Sequence, residues 1–357
     1  MKRSVSIPIL LSLILTATDW VTASYGAPTA TLAVEASSDT CKPVGRLISV
    51  QGKVQLKRKS LPNYHPTAVG AVLCLGDLLQ PAKGARVMVQ CAEPNQNPWT
   101  VPDGVPSGAA IGCRPPNEPI HTITGPITPT RDPLASRIPY IISPNNTWLL
   151  NALPTLRWQA VPGATSYTVR VSGPGVNWET EVSTTTVVYP GKPPLKPVEE
   201  GYLLMVEANN GESPAKATFG LLDENKVTRV RAAALALDRQ NLADEAKTLA
   251  LADLYIGQEL IAEAIDLLEG LVAKGSKTAA VYYTLGDLYA QVELLRQAEE
   301  NYLKAVELAT TAKDIEGQAA AAARLGEVYA ALGNSDKASH WLKEAQKSFT
   351  ILKPVAY

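Results

Sequence analysis

Apolar and polar residues alternate from Gly45 to about Cys91. In RLISVQGKVQLKRK, Leu47, Ser49 and Gln51 fall on one side of an extended chain and Ile48 and Val50 on the other. A Gln51-Gly52 turn leads to Val54 and Leu56, and GARVMVQC places Val87 and Val89 at period two. Gly76-Asp77 and Lys83-Gly84 are turn dipeptides between these runs. From 92 to 145 the periodicity fades and prolines crowd in. Proline fixes φ and removes a backbone donor, so this stretch predicts loop and extended linker. Alternation resumes from about Trp148 to Leu222. Leu156, Trp158 and Ala160 share a face of one strand, Tyr167, Val169 and Val171 share a face of the next, and Pro162-Gly163 turns between them. Three further strand patterns follow. After Asp223 the composition changes to Ala, Leu, Glu and Lys, which are strong helix formers.

Three helical segments superpose: LADLYIGQELIAEAIDLLEGL from Leu251, LGDLYAQVELLRQAEENYLKA from Leu285, and LGEVYAALGNSDKASHWLKEA from Leu325, spaced by 34 and then 40 residues. Each carries Leu, a small residue and Tyr, then a second small residue further on. The sets are Leu251, Ala252, Tyr255 and Ala264; Leu285, Gly286, Tyr289 and Ala298; and Leu325, Gly326, Tyr329 and Ala338. Small residues let paired helices approach, and the tyrosines fill the space beside them. This pattern and period resemble the tetratricopeptide repeat. The resemblance implies a C-terminal α-solenoid of three units, 245–278, 279–312 and 319–352, with a capping helix over 223–242. The extra residues around TTAKDIEGQ predict a lengthened second helix and turn, and Pro354 ends the last helix.

A solenoid of this kind has a concave face lined by the first helix of each unit. Leu249, Asp253 and Ile256 project onto it from the first unit, Tyr283, Asp287 and Ala290 from the second, and Ala323, Glu327 and Ala330 from the third. Asp253, Asp287 and Glu327 recur once per unit. They form either a row that prefers a basic or donor-rich segment or a solvated helix face. The Lys/Asn set with which some members of the repeat family grip a terminal carboxylate is absent, since Leu249 and Asp253 stand at the matching places.

The front of the chain carries two weaker resemblances. Val50, Gly52 and Val54, then Gly70, Leu73 and Gly76-Asp77, then Ala85–Val89 resemble the FecR-like envelope domain, with a V-x-G-x-V hairpin and a following GD segment. The closing "dG" of that family is replaced by Cys91-Ala92-Glu93. The strands from 148 to 222, with Trp158 and Tyr167 at core places, resemble a fibronectin type III-like β-sandwich. The expected fold class is therefore multidomain β plus α. A signal peptide over 1–23 and a linker over 24–44 precede a small disulfide-tied β domain over 45–113. A proline-rich linker over 114–147 leads to the sandwich over 148–222, and the helical repeats follow.

The N-terminus changes the picture of compartment. Two early cations precede the apolar run Ile7–Leu15, too short to span a bilayer at roughly 20 residues but suited to a secretory signal, with cleavage after Ala23 or retention as an uncleaved anchor as the alternatives. Cys41, Cys74, Cys91 and Cys113 all lie in the front region. An even count in an exported segment predicts two disulfides with three possible connectivities. Zinc is the rival reading, but no CxxC pair exists and His65 and His121 lack paired spacing. A formal net charge of -1 gives no bulk field that would draw nucleic acid.

Catalytic signatures are missing. The three histidines, His65, His121 and His340, lie in three different segments, and the chain has no GxSxG, HExxH or glycine-rich phosphate loop. The expected protein is not an enzyme, needs no cofactor or metal, and is exported to the periplasm or beyond the cell. It has no stable membrane span once the signal is cleaved. Its partner is another protein, held on the concave face. The alternative is an envelope sensor or cell-wall-associated module whose FecR-like domain binds a receptor tail or cell-wall glycan.

Overall fold

The computed structural model describes residues 41–93, 96–115, 127 and 137–352. The predicted signal peptide, linker residues 24–40, His121 and Pro354 lie outside the described residues.

The first β unit contains β1 (Pro43–Gln51), β2 (Val54–Lys57), β3 (His65–Pro66), β4 (Val72–Cys74), β5 (Leu78–Pro81), β6 (Arg86–Cys91), β7 (Trp99–Val101), β8 (Ser107–Gly108) and the single turn α1 (Ala109–Gly112). They make two four-stranded sheets, ordered β4-β1-β6-β7 and β3-β2-β5-β8. The expected V-x-G-x-V hairpin does not form. β1 pairs with β4 and β6 while β2 pairs with β3 and β5, so Gly52, at φ +98°, hands the chain from one sheet to the other. That crossing lets Leu47 and Leu56 enter one core with Leu73, Leu79, Val87 and Val89, all fully buried. Disulfides join Cys41 to Cys74 and Cys91 to Cys113. At the Gly76-Asp77 bend, Gly76 has φ +99° and the Asp77 carboxylate accepts from Cys74 N at 2.8 Å.

The second β unit contains β9 (Ile141–Ser143), β10 (Thr147–Leu149), β11 (Thr155–Trp158), β12 (Tyr167–Gly173), β13 (Val176–Val182), β14 (Thr186–Val188), β15 (Tyr202–Ala208) and β16 (Ala215–Leu221). A five-stranded sheet, β10-β16-β15-β12-β13, accompanies a three-stranded one, β14-β11-β9. The alternation predicted for Tyr167, Val169 and Val171 matches their burial. Ala160 departs from it: β11 ends at Trp158 and Ala160 is exposed. β9 and Thr147 at the start of β10 arise where the prolines predict linker, because three-residue strands are too short to show a period.

Among the described residues seven helices follow: α2 (Glu224–Asp238), α3 (Asp244–Gly257), α4 (Ile261–Ala273), α5 (Ala279–Gln291), α6 (Leu295–Ala312), α7 (Ile315–Ala331) and α8 (Ser335–Leu352). α3 to α8 form three successive pairs. The added Cβ of an alanine at Gly286 would lie 2.8 Å from the Tyr302 ring, and one at Gly326 would lie 2.6 Å from Leu342, so these close approaches need glycine. The turn inside each pair places Glu259, Glu293 or Gly333 at positive φ, at the same 34- and 40-residue spacing as the sequence motif. The extra residues before the third pair do not all enter the second helix. α6 has 18 residues against 13 in α4, and α7 has 17 against 13 in α5, with Lys313 in the left-handed region between them. Asp314 then caps α7, accepting from Gly317 N at 3.0 Å.

Both β units are fastened to the helices. Thr147 of β10 accepts from Ile261 N at 2.9 Å and Ala262 N at 3.3 Å, supplying the cap that Leu260 at the start of α4 cannot. Arg157 reaches Asp266 and Glu269 of α4, both at 2.8 Å. β1 is buried on both faces: Leu47 enters its own core while Ile48, 1% exposed, packs with Leu237, Leu242, Ala246 and Ala250.

Candidate functional site

α3, α5 and α7 turn one side toward the first β unit, and a cleft of about 890 Å3 lies between them, with α2 along its side. This volume falls within the roughly 300–1,000 Å3 of ligand-holding clefts, which favour domain junctions. Ile256, Ala280, Tyr283 and Thr284 line the helical wall, and Thr67, Val69, Gly70 and Gln90 line the β wall. At its tightest, a Cβ added to Gly70 would sit 1.8 Å from the Ala280 Cβ; Gly70 also has φ +97°, so this contact excludes any side chain.

Charged side chains cross the cleft at both ends. Arg46 of β1 approaches Asp253 of α3, with Nε 3.0 Å from Oδ2, and its Nη1 donates to Gly70 O at 3.1 Å. Burial pushes the Asp253 carboxyl above its usual range, with Arg46 opposing. Arg58, just past β2, donates to Asp77 at 2.5 Å and also pairs with Glu316 of α7. Glu316 Oε2 lies 3.0 Å from His65 Nε2. Burial alone would raise the Glu316 carboxyl, but the His65 contact and the Arg58 charge outweigh it and hold the group below the usual glutamate range. Asp314 nearby is pushed up by burial.

Within the helices, Asp287 accepts from Tyr302 OH at 2.5 Å and from Arg324 Nε at 2.9 Å, and Arg324 also reaches Glu327 at 2.5 Å. Burial raises Asp287 despite these partners and drives the Tyr302 and Tyr283 phenols far above their usual value. Two further tyrosines bond backwards along the array, Tyr289 OH to Glu269 at 2.5 Å and Tyr329 OH to Glu299 at 2.6 Å.

The nine positions projected onto the concave face therefore divide, and Ala290, Ala323 and Ala330 lie outside the cleft lining. Asp253, Ile256, Tyr283 and Asp287 line the cleft, while Leu249 and Glu327 do not. Leu249 is buried in the packing between helices, and Glu327 is exposed beside Arg324. Of the repeat-defining positions, Ala252, Ala264, Leu285, Gly286, Tyr289, Ala298, Leu325, Gly326, Tyr329 and Ala338 are buried, and Leu251 and Tyr255 are half-buried. Sequence reasoning missed Arg46, Arg58, His65 and Glu316 as neighbours. Arg58 and Glu316 are 258 positions apart, and no local pattern joins them. Among the described residues no cluster of three or more His, Cys, Asp or Glu could hold a metal ion, and no helix is long and apolar enough to cross a membrane.

Residues 277–350 match the tetratricopeptide repeat family, which covers the second and third helix pairs. Over part of its length the chain is also similar to solved structures. A crystal structure of MamA shares 24% identity over 36% of this chain and 75% of its own, with a TM-score of 0.29. MamA residues 41 to the end from Desulfovibrio magneticus RS-1 share 20% over 36% and 70%, also at 0.29. BtubC (BKLC) from P. vanneervenii shares 17% over 37% and 77%, at 0.20. No curated protein matches the chain.

Proposed function

We propose that this protein is an exported, non-enzymatic scaffold that holds a segment of a partner protein on the concave face of its tetratricopeptide solenoid. The observation that carries the reading is the cleft of about 890 Å3 between α3, α5, α7 and the first β unit, which is lined by four of the nine positions expected on the concave face. The sandwich, fibronectin type III-like in its strand pattern, fixes the solenoid through Thr147 and Arg157. Export agrees with the signal pattern and with the two disulfides, which persist in oxidising compartments.

A photo-crosslinking amino acid placed at Tyr283, in the exporting cell, should capture a discrete protein. The same group at Leu303, half-exposed on α6 outside the cleft, should not. Equal labelling from both sites, or none from Tyr283, would refute the cleft as the docking face. The cell-wall alternative has less behind it: Trp99, the one tryptophan of the first β unit, is half-buried and packs against Gly112, where an added Cβ would lie 1.7 Å from its ring.

A further inference from the structure

The two disulfides sit in opposite surroundings. Cys91 and Cys113 are 3% and 0% exposed and belong to the core of the first β unit. Cys91 Sγ faces the carbonyl oxygens of Asn97 and Gly112, each at 3.8 Å, which oppose negative charge on the sulfur. Cys41 is exposed and lines the cleft, and Cys74 is half-buried. Arg58 Nη1 lies 3.7 Å from Cys74 Sγ. Thiol–disulfide exchange begins with a thiolate attacking an accessible sulfur, and it runs faster the better the departing sulfur carries negative charge. A neighbouring arginine favours a cysteine thiolate. Asp77 stands in the same cluster, but its carboxylate is met by Arg58 Nη1 at 2.5 Å, Cys74 N at 2.8 Å and Lys59 N at 3.3 Å.

We propose that Cys41–Cys74 is a thiol–disulfide exchange site for a dithiol, and that its state sets how tightly α7 is held to the first β unit. A thiolate of the dithiol attacks Cys41 Sγ and the S–S bond breaks. A mixed disulfide forms on Cys41, and Cys74 leaves as a thiolate beside Arg58. The second thiol of the dithiol loses its proton and attacks the mixed disulfide at the dithiol's own sulfur. Cys41 departs and takes up that proton, and the dithiol ends as a cyclic disulfide, having passed two electrons to the bridge. Arg58 then faces three anions: Asp77, Cys74 and Glu316 of α7. Asp77 and Cys74 lie in the same β unit as Arg58, so the contact weakened is the one that crosses to Glu316. That contact closes one end of the cleft, and Glu316 is left with His65 at 3.0 Å. The exchange site stands independently of the scaffold reading.

The test uses the full chain with both bridges formed. Dithiothreitol is added under native conditions, the reaction is quenched by alkylation, and peptide mass spectrometry reads each cysteine. Cys41–Cys74 should open at least tenfold faster than Cys91–Cys113. Glutathione, which carries a single thiol, should be trapped on Cys41. Arg58→Gln should slow the opening of Cys41–Cys74 at least threefold, whereas a loosened fold would speed both bridges. Once Cys41–Cys74 alone is open, amide hydrogen exchange in the first turn of α7 should quicken at least threefold. Cys41→Ser combined with Cys74→Ser removes the bridge without leaving an anion, and should keep those amides as protected as in the oxidised chain. Equal opening rates, glutathione trapped on Cys74, or opening in R58Q as fast as in the native chain would overturn the exchange site. Amides unchanged on reduction, or quickened equally by the double substitution, would overturn the link to α7.

Discussion

Replacing Thr147 with valine keeps the shape of a buried side chain and removes one oxygen. That oxygen accepts from Ile261 N and Ala262 N at the start of α4, and its hydrogen can go to Trp148 O at 2.8 Å or Glu259 O at 3.1 Å. Loss of a helix cap costs about 0.5–2 kcal/mol, and stranding a buried donor costs about 1–3 kcal/mol. These overlap, because the same two N–H groups are counted in each, so the expected loss is about 2–3 kcal/mol. With a urea slope of about 2–3 kcal/mol/M, the midpoint should fall by about 1 M. Urea unfolding followed by far-ultraviolet circular dichroism and by tryptophan fluorescence measures it, provided the two probes give coincident transitions. Thr147→Ser retains the oxygen and should recover most of the loss. A valine effect under about 0.5 kcal/mol, or serine as damaging as valine, would refute the idea that the sandwich supplies the cap for α4.

Gly286→Val should destabilise by about 1–3 kcal/mol, because any side chain there meets the Tyr302 ring at 2.8 Å; an unchanged melting temperature would mean that α5 and α6 separate freely. The Cys41–Cys74 and Cys91–Cys113 loops, with separations of 33 and 22 residues, should each contribute about 3–4 kcal/mol, so reduction confirmed by thiol titration should lower the urea midpoint markedly. Glu316 carries a pH signature. Its folded value lies below its ordinary 4.5, so its contribution is present above that pH and is lost as the pH falls through the folded value. The stability difference between the native chain and Glu316→Gln should therefore shrink as the pH is lowered from 6 to 3, and a difference independent of pH would contradict the assignment.

Much of the architecture is legible in local patterns. The helical array is legible because its motif is set by contacts between neighbouring helices. Gly286 against Tyr302, and Gly326 against Leu342, are pairs only 16 residues apart, and they recur at the repeat spacing. The same locality makes Tyr167, Val169 and Val171 readable as one strand face. The fate of Gly52 was not readable, since a glycine turn between two alternating runs looks the same whether the runs pair with each other or enter different sheets.

The order of β and helical regions, the repeat spacing, the small residues where helices touch and the carboxylates along α3 and α5 are all written in the local pattern. Those follow from side-chain volume and period, which a single element expresses alone. What those carboxylates face is set by packing between distant elements. Ile48 looks like the solvent side of an alternating strand, yet it is buried against α2 and α3 because the β unit lies on the helices. Arg46 meets Asp253, and Arg58 with His65 meets Glu316, across separations of more than 200 residues. Coulomb attraction and burial depend on distance in space, and the chain's local pattern carries no record of it.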